Sequence, residues 1–171
     1  MGLLAIVPLL AAACGGSSPS TPAATSHVVA GPGFRFAVPV GWTVVRSAKG
    51  VTATEHGSPA IFVSATVFPL LKPYRHALFA QAAKELDRVA TQLVQSAHGT
   101  LTERTTTIVA GRKVRAYRYH ASPASRPAYA ARIGFVLDGS REYQLLCQAP
   151  SGAGDPDGAC DLLFGSFRAA A

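Results

Sequence analysis

The sequence predicts an α+β fold, in which helices pack on an antiparallel β-sheet. Short runs rich in β-branched and aromatic residues recur along the chain, separated by hairpin-type turns. One long segment instead spaces its apolar residues at helical intervals. Of the 171 residues, 49% are hydrophobic and 15% are charged, so the chain can bury one core. This composition excludes an acidic disordered protein.

Four strands are predicted ahead of the helix. Residues 34–38 alternate between faces and stop at Pro39, which is typical of a strand. The turn cluster His-Gly-Ser-Pro at residues 56–59 separates the third strand from the fourth. The predicted ranges are 34–38, 41–45, 51–55 and 61–68.

A long amphipathic helix is predicted over residues 73–97. Gly99 is expected to end it, with His98 in its last turn. The apolar stripe is wide, which is typical of a helix that packs on a sheet. It consists of Leu78, Phe79, Ala82, Ala83, Leu86, Val89, Ala90, Leu93 and Val94.

Four more strands and a short apolar helix, residues 159–168, are predicted after the long helix. The run Asp-Gly-Ser at residues 138–140 is a strong hairpin signal between the last two strands. Strands joined by hairpins favour an antiparallel sheet, within one domain that covers residues 28–171. The predicted strand ranges are 100–109, 112–119, 129–137 and 141–147.

The N-terminal segment indicates export. Residues 2–13 are uncharged and apolar, too short to span a bilayer and typical of a signal-peptide core. We therefore expect residues 1–13 to be a signal peptide. Residues 14–27 carry no charge and no large apolar run, and are expected to form a flexible tether with a reach of about 20 Å.

Residues 10–14, Leu-Ala-Ala-Ala-Cys, resemble the lipobox of bacterial lipoproteins. The resemblance implies cleavage before Cys14, a diacylglycerol and palmitate-type acyl chains on that residue, and anchorage to the outer face of the cell membrane. The alternative is an ordinary cleaved signal of the Ala-x-Ala type, in which Cys14 is incidental.

The remaining cysteines, Cys147 and Cys160, form an even pair. In an exported protein such a pair is expected to form a disulfide. The Pro- and Gly-rich spacer between them is typical of a loop, which the bond would close with a gain of about 3 kcal/mol. The alternative is a metal or redox site, but there is no Cys-x-x-Cys and no histidine near either cysteine in sequence.

Residues 34–42 follow the pattern Phe-x-Phe-x-Val-Pro-x-Gly-Trp. With the long helix and the run Cys-Asp-Leu-Leu-Phe-Gly-Ser-Phe-Arg at residues 160–168, the chain resembles the PsbP-like α/β/α sandwich superfamily. That group includes photosystem II extrinsic proteins, a yeast Ran-binding protein and actinobacterial lipoproteins. The resemblance implies an architecture, an actinobacterial lipoprotein setting, and interaction or scaffolding rather than a reaction. Trp42 and Phe167 are expected in the core, and Gly41 in a turn.

No catalytic, metal or cofactor motif was found in the sequence. There is no Gly-x-Ser-x-Gly, no P-loop, and no pair of histidines at metal-ligand spacing. The run at residues 155–158 resembles a calcium loop only superficially, because the later ligands are absent. The sequence therefore predicts a protein that is not an enzyme and holds no metal or cofactor.

The formal net charge is +7, and one predicted strand concentrates positive charge. Tyr117 and Tyr119 share a face with two of its basic residues. Such a stripe also suits nucleic acid, which an exported protein rarely meets. We expect contact with anionic lipid headgroups or acidic envelope polymers. The alternative is a solvated face that protects a sheet edge. The basic residues are Arg112, Lys113, Arg115 and Arg118.

These observations predict a lipid-anchored cell-envelope protein with a non-catalytic binding or interaction domain. Its expected partners are the membrane, through the anchor, and an envelope protein or anionic envelope component, with no nucleic acid. A small-ligand or lipid carrier with a cavity between sheet and helix is the alternative, followed by an unrecognised hydrolase. A cavity would favour the carrier, and a cleft with convergent Ser, His and Asp would favour the hydrolase. The sequence leaves the oligomeric state open.

Overall fold

The structure is a computed structural model that describes residues 25–124, 126–153 and 157–170. The predicted signal peptide, Cys14 and the tether up to residue 24 lie outside the described residues. The helices are α1 (Phe79–Ser96) and α2 (Asp157–Ser166). The strands are β1 (Ser26–Gly31), β2 (Phe34–Pro39), β3 (Thr43–Arg46), β4 (Gly50–Glu55), β5 (Ser58–Pro69), β6 (Gly99–Val109), β7 (Arg112–Ala121), β8 (Tyr129–Asp138), β9 (Arg141–Pro150) and β10 (Arg168–Ala169).

The main sheet has seven antiparallel strands in the order β3-β4-β5-β9-β8-β7-β6. Its strands match the predicted ones apart from small shifts at their ends. The predicted α+β class, with helices on an antiparallel sheet, is therefore confirmed. No helix among the described residues is long and apolar enough to cross a membrane.

A second sheet has the strand order β1-β2-β10. Of these three strands, the sequence predicted only β2. β1 begins at Ser26, two residues before the expected start of the domain. Of its residues only Val29 is buried, so the segment carries little strand signal. β10 replaces the end of the last predicted helix: Phe167 leaves the helix to enter the core, and Arg168 pairs with β2 instead.

The two faces of the main sheet are covered by different layers. On β7, Tyr117 and Tyr119 belong to the buried cluster that includes Leu86 of α1. The alternate residues Val114 and Ala116 belong to the other cluster, which contains α2 and the small sheet. Since successive strand residues point to opposite faces, α1 packs on one side and α2 with the small sheet on the other.

α1 begins later than predicted. The chain is still extended at Arg75, forms a single 3₁₀ turn over His76–Leu78, and enters the α-helix at Phe79. The cause is a backbone hydrogen bond, because the Tyr74 amide donates to the Gly139 carbonyl at 2.7 Å and holds this segment on the β8–β9 turn.

The end and the buried stripe of α1 also differ from the prediction. The helix ends at Ser96, and His98 lies beyond it at a positive φ of 52° rather than in the last turn. Leu86, Ala90 and Val94 are its buried residues. The stripe is narrower than predicted: the side chains of Leu78 and Val89 are 47% and 45% exposed.

Cys147 of β9 and Cys160 of α2 form a disulfide, with their Cα atoms 5.6 Å apart, as predicted. The Phe164 ring lies over Gly134 of β8, where an added Cβ would come within 2.5 Å of the ring. The Arg132 guanidinium stacks 4.2 Å from the centre of the same ring. These contacts fix α2 on the sheet.

The sequence motif around Trp42 has the expected role only in part, because Trp42 is partly buried and not a core residue. Gly41 has a φ of 86°, a conformation that favours glycine. Trp42 packs against the cluster that contains Phe167, which is fully buried. Both buried clusters and the disulfide are formed by residues that follow Thr25.

An ion pair fixes α1 on the opposite face. Arg115 of β7 donates to Asp87 of α1 from Nε to Oδ1 at 2.8 Å and from Nη2 to Oδ2 at 3.2 Å. The Tyr117 hydroxyl donates to the same Oδ1 at 2.8 Å. The hydrogen bonds from Arg115 lower the pKa of Asp87, and burial raises that of the Tyr117 hydroxyl. The carboxylate therefore accepts from both side chains at neutral pH.

Replacement of Asp87 tests this contact. Asp87→Ala leaves the buried Tyr117 hydroxyl and the Arg115 guanidinium without their shared acceptor, so the free energy of unfolding should fall by about 1–3 kcal/mol. Because the folded-state pKa of Asp87 is lowered, its stabilisation is present at neutral pH and is lost as the pH falls through that pKa. As the pH falls below about 4, the free energy of unfolding should therefore decrease less for the variant than for the wild type. Urea unfolding at several pH values measures this difference.

Glu85→Ala is the matched control. Glu85 also lies on α1 and pairs with Arg88, but both side chains are more than half exposed. Its replacement should change the free energy of unfolding by less than about 0.5 kcal/mol. Equal effects of the two replacements would contradict a role for Asp87 in fixing the helix.

Candidate functional site

The four basic residues predicted as a surface contact lie in different surroundings along β7. Arg115 faces α1 and pairs with Asp87. Arg118, on the opposite face, pairs with Glu103 of β6 at 3.3 Å. Only Arg112 and Lys113 lie at the start of the strand, beside a surface cleft.

The two tyrosines that share a face with Arg115 are core residues. Tyr117 is fully buried, and Tyr119 is 4% exposed with its ring edge-on to Tyr129 at 6.2 Å between centroids. The strand parity was predicted correctly, but α1 covers this face. Tyr117 and Tyr119 therefore form no exposed aromatic stripe.

One end of the main sheet carries the β3–β4 turn (residues 47–49) and three further connections, which we call the loop end: the β5–α1 loop (70–75), the β6–β7 turn (110–111) and the β8–β9 turn (139–140). The Leu70 amide donates to the Ser140 carbonyl at 2.8 Å, and the Tyr74 amide donates to the Gly139 carbonyl at 2.7 Å. The β5–α1 loop is thus held on the β8–β9 turn at both of its ends.

The loop end contains a cleft of about 410 Å³, which we call the basic cleft. This volume lies within the usual size range of small-ligand sites, about 300–1,000 Å³. Tyr74 and His76 line one wall, and their rings meet edge-on at 5.5 Å between centroids. The lining residues are Tyr74, His76, Ala77, Phe79, Gly111, Arg112 and Lys113.

Arg112 is held in position by two partners. Its Nη2 pairs with Asp138 Oδ2 at 3.0 Å, and its Nη1 lies 2.9 Å from His76 Nε2. Since arginine only donates, Nε2 is the acceptor in a hydrogen bond between these two side chains. The Lys113 ammonium lies 6.0 Å from the centre of the Phe79 ring.

The cleft presents donors to an anion. The guanidinium of Arg112 suits planar oxyanions, and the ammonium of Lys113 acts as a compact charge. Burial raises the pKa of Tyr74, so its hydroxyl stays protonated and can donate as well. Phosphate, sulfate and carboxylate are the groups that such a set binds.

Sequence reasoning missed the contribution of Tyr74, His76 and Phe79. Residues 73–97 were assigned to a helix, which would have placed Tyr74 and His76 within its first turn. Pro73 gave no signal of this, because proline disfavours a helix only at the preceding residue and is common at the first helical position.

A groove of about 340 Å³ lies at the opposite end of the main sheet, lined by Pro59, Ala60, Phe62, Arg126, Pro127, Ala128, Tyr129, Gln148 and Pro150. Within residues 25–124, 126–153 and 157–170, no three His, Cys, Asp or Glu side chains are grouped so that they could hold a metal ion.

Comparison with known proteins supports the fold. No family model and no curated protein sequence matches the chain. A Bacteroides thetaiotaomicron crystal structure matches with a TM-score of 0.59 and 11% identity over 86% of this chain, which spans half of that protein. The cyanobacterial PsbP protein, CyanoP, of Synechocystis matches with a TM-score of 0.60 and 12% identity over 90% of this chain and 98% of CyanoP.

LpqN of Mycobacterium tuberculosis, described as involved in cell envelope biogenesis, matches with a TM-score of 0.55 and 10% identity over 90% of both chains. At these identities the likeness concerns the fold alone. The chain therefore has a PsbP-like fold, as the sequence motifs indicated.

Proposed function

We propose that this chain is an exported, lipid-anchored cell-envelope protein whose domain is a non-catalytic module that binds an anionic group in the basic cleft. The observation that carries the proposal is the convergence of Arg112, Lys113 and Tyr74 on one cleft. Backbone hydrogen bonds hold the cleft wall, so the donors are positioned before a ligand arrives.

The envelope location is supported by two independent observations. The lipobox-like run that ends at Cys14 is followed by an uncharged segment rich in Gly, Ser, Pro and Thr. One structural neighbour, LpqN, is described as involved in cell envelope biogenesis. The tether would hold the domain within about 20 Å of the membrane surface.

The chemistry of the cleft residues favours binding over a reaction. Arg112 is permanently charged and already oriented by Asp138. His76 receives a hydrogen bond from Arg112, and the raised pKa of Tyr74 makes its hydroxyl a donor rather than a base. Arg112 and Tyr74 are thus suited to hold an anion in place, and His76 helps to position Arg112.

A carrier of an apolar ligand is the second candidate. The groove that contains Phe62, Tyr129 and Pro150 is the observation that favours it, because apolar side chains dominate its lining. The space between α1 and the sheet, where a carrier cavity was expected, is filled by Leu86, Ala90 and their cluster.

Replacement of the acylated cysteine tests the anchor. Cys14→Ser removes the thiol that would carry diacylglycerol, so the full chain should move from the membrane fraction to the soluble fraction of the producing bacterium. Ser18→Ala, in the same segment, is the control and should remain in the membrane fraction. An unchanged membrane fraction for Cys14→Ser, together with no lipid mass on the wild type, would contradict acylation.

Phosphate titration tests the cleft. Inorganic phosphate added to residues 25–171 should shift the NMR amide signals of Tyr74, Gly111 and Lys113, which line or adjoin the donors. The double variant Arg112→Gln/Lys113→Gln should weaken this binding about tenfold or more, because charge-assisted hydrogen bonds contribute about 1.5–3 kcal/mol each.

Lys84→Gln/Arg88→Gln is the matched control, since it removes the same charge from α1 and also breaks one exposed arginine pair. It should bind phosphate like the wild type. If phosphate shifts no amide of the cleft, or if both double variants lose binding equally, the site assignment is wrong.

A further inference from the structure

Three exposed apolar side chains belong to the segments that form or adjoin the basic cleft. Leu71, in the β5–α1 loop, is fully exposed at 104%. Leu78, between the cleft residues Ala77 and Phe79, is 47% exposed. Ile108, 62% exposed, lies directly across from Lys113 in the β6–β7 pair. We call Leu71, Leu78 and Ile108 the apolar rim.

The exposure of Leu71 is built into the fold. The hydrogen bonds of the Leu70 and Tyr74 amides fix the loop on each side of it, and Pro73 restricts the backbone between them. Leu71 therefore projects from a held loop and does not fold back onto the sheet. A single exposed leucine is ordinary on a protein surface, so the inference rests on Leu71 together with the other two rim residues and the charge around them.

Positive charge surrounds the apolar rim. Lys72 and Arg75 are exposed in the same loop as Leu71, and Lys113 is exposed next to Ile108. Of the nearby acids, Asp138 pairs with Arg112, whereas Glu142 accepts a hydrogen bond from the neutral Gln144 amide at 2.8 Å and keeps its negative charge. This surface combines apolar side chains with a basic surrounding, which complements the interface of an anionic lipid leaflet.

We infer that the loop end is a membrane-interface site, at which the apolar rim enters the headgroup boundary of an anionic leaflet and the basic cleft holds a lipid phosphate. This inference rests on the proposed function and names the source of the anion. The rim and the cleft act together, because a lipid offers an acyl chain and a phosphate in one molecule. Each Lys or Arg near such a surface strengthens binding about fivefold.

The place where the N-terminal segment joins the domain, at Thr25, allows the loop end to face the membrane. β1 runs from Ser26 towards the loop end, where the Tyr143 hydroxyl donates to the Gly33 carbonyl beyond the strand. Its six residues cover about 20 Å. The segment from Cys14 to Thr25 spans up to about 40 Å when extended, so a lipid on Cys14 and the loop end can reach the same leaflet.

Vesicle binding of residues 25–171 tests the inference. Phosphatidylcholine vesicles with about one third phosphatidylglycerol should bind the domain at low salt, and pure phosphatidylcholine vesicles should bind it at least tenfold more weakly. Leu71→Ser/Ile108→Ser should lower the partition coefficient on anionic vesicles about tenfold or more. Its phosphate-induced NMR shifts should remain those of the wild type.

Val28→Ser/Val45→Ser is the matched control. These side chains are 67% and 61% exposed but lie on β1 and β3, outside the apolar rim. The control should partition like the wild type, and the melting temperatures of all variants show whether they are folded.

The outcomes separate the two proposals. If the rim variant partitions like the wild type while phosphate still shifts the cleft amides, the anion is a soluble one; the membrane inference is then overturned and the proposed function stands. If phosphate shifts no cleft amide and anionic vesicles are not bound, both proposals are overturned. Equal binding to neutral and anionic vesicles would overturn the requirement for an anionic leaflet, since phosphatidylcholine also carries a phosphate but no net charge.

Discussion

Two backbone hydrogen bonds determine the geometry of the loop end. The amides of Leu70 and Tyr74 donate to the carbonyls of Ser140 and Gly139, and so attach the β5–α1 loop to the turn of a central hairpin. The attachment delays the start of α1 and leaves the Tyr74 and His76 side chains beside β7. Because Arg112 pairs with Asp138 of that same hairpin, the cleft and the exposed leucine depend on one arrangement of main-chain atoms.

The positive charge of β7 serves two purposes. Arg115 and Arg118 pair with carboxylates on α1 and β6, and the first of these pairs also satisfies the buried Tyr117 hydroxyl. Lys113 lies at the strand end, where its ammonium is directed over Phe79 at the cleft. The four basic residues of β7 thus differ in role: two hold neighbouring elements in place, and Lys113 leaves its charge exposed at the basic cleft.

The sequence predicted the features that depend on neighbouring residues. Turn residues such as the Asp-Gly-Ser run placed the hairpins, and the cysteine count led to the disulfide between Cys147 and Cys160. It did not predict β10, because Phe167 and Arg168 continue an apolar helical pattern until tertiary packing ends the helix. The cleft escaped prediction for a similar reason: the contact between Tyr74 and the β8–β9 turn joins segments 65 positions apart, from Tyr74 to Gly139.

The orientation of the domain on a leaflet is the central claim, and paramagnetic broadening measures it directly. Anionic vesicles that carry a nitroxide lipid should broaden the NMR amide signals of Leu71, Leu78 and Gly111 in residues 25–171. Signals at the opposite end of the sheet, such as Gly57 and Ala128, should keep their intensity. Uniform broadening of the domain, or broadening that is strongest at Gly57 and Ala128, would contradict the account.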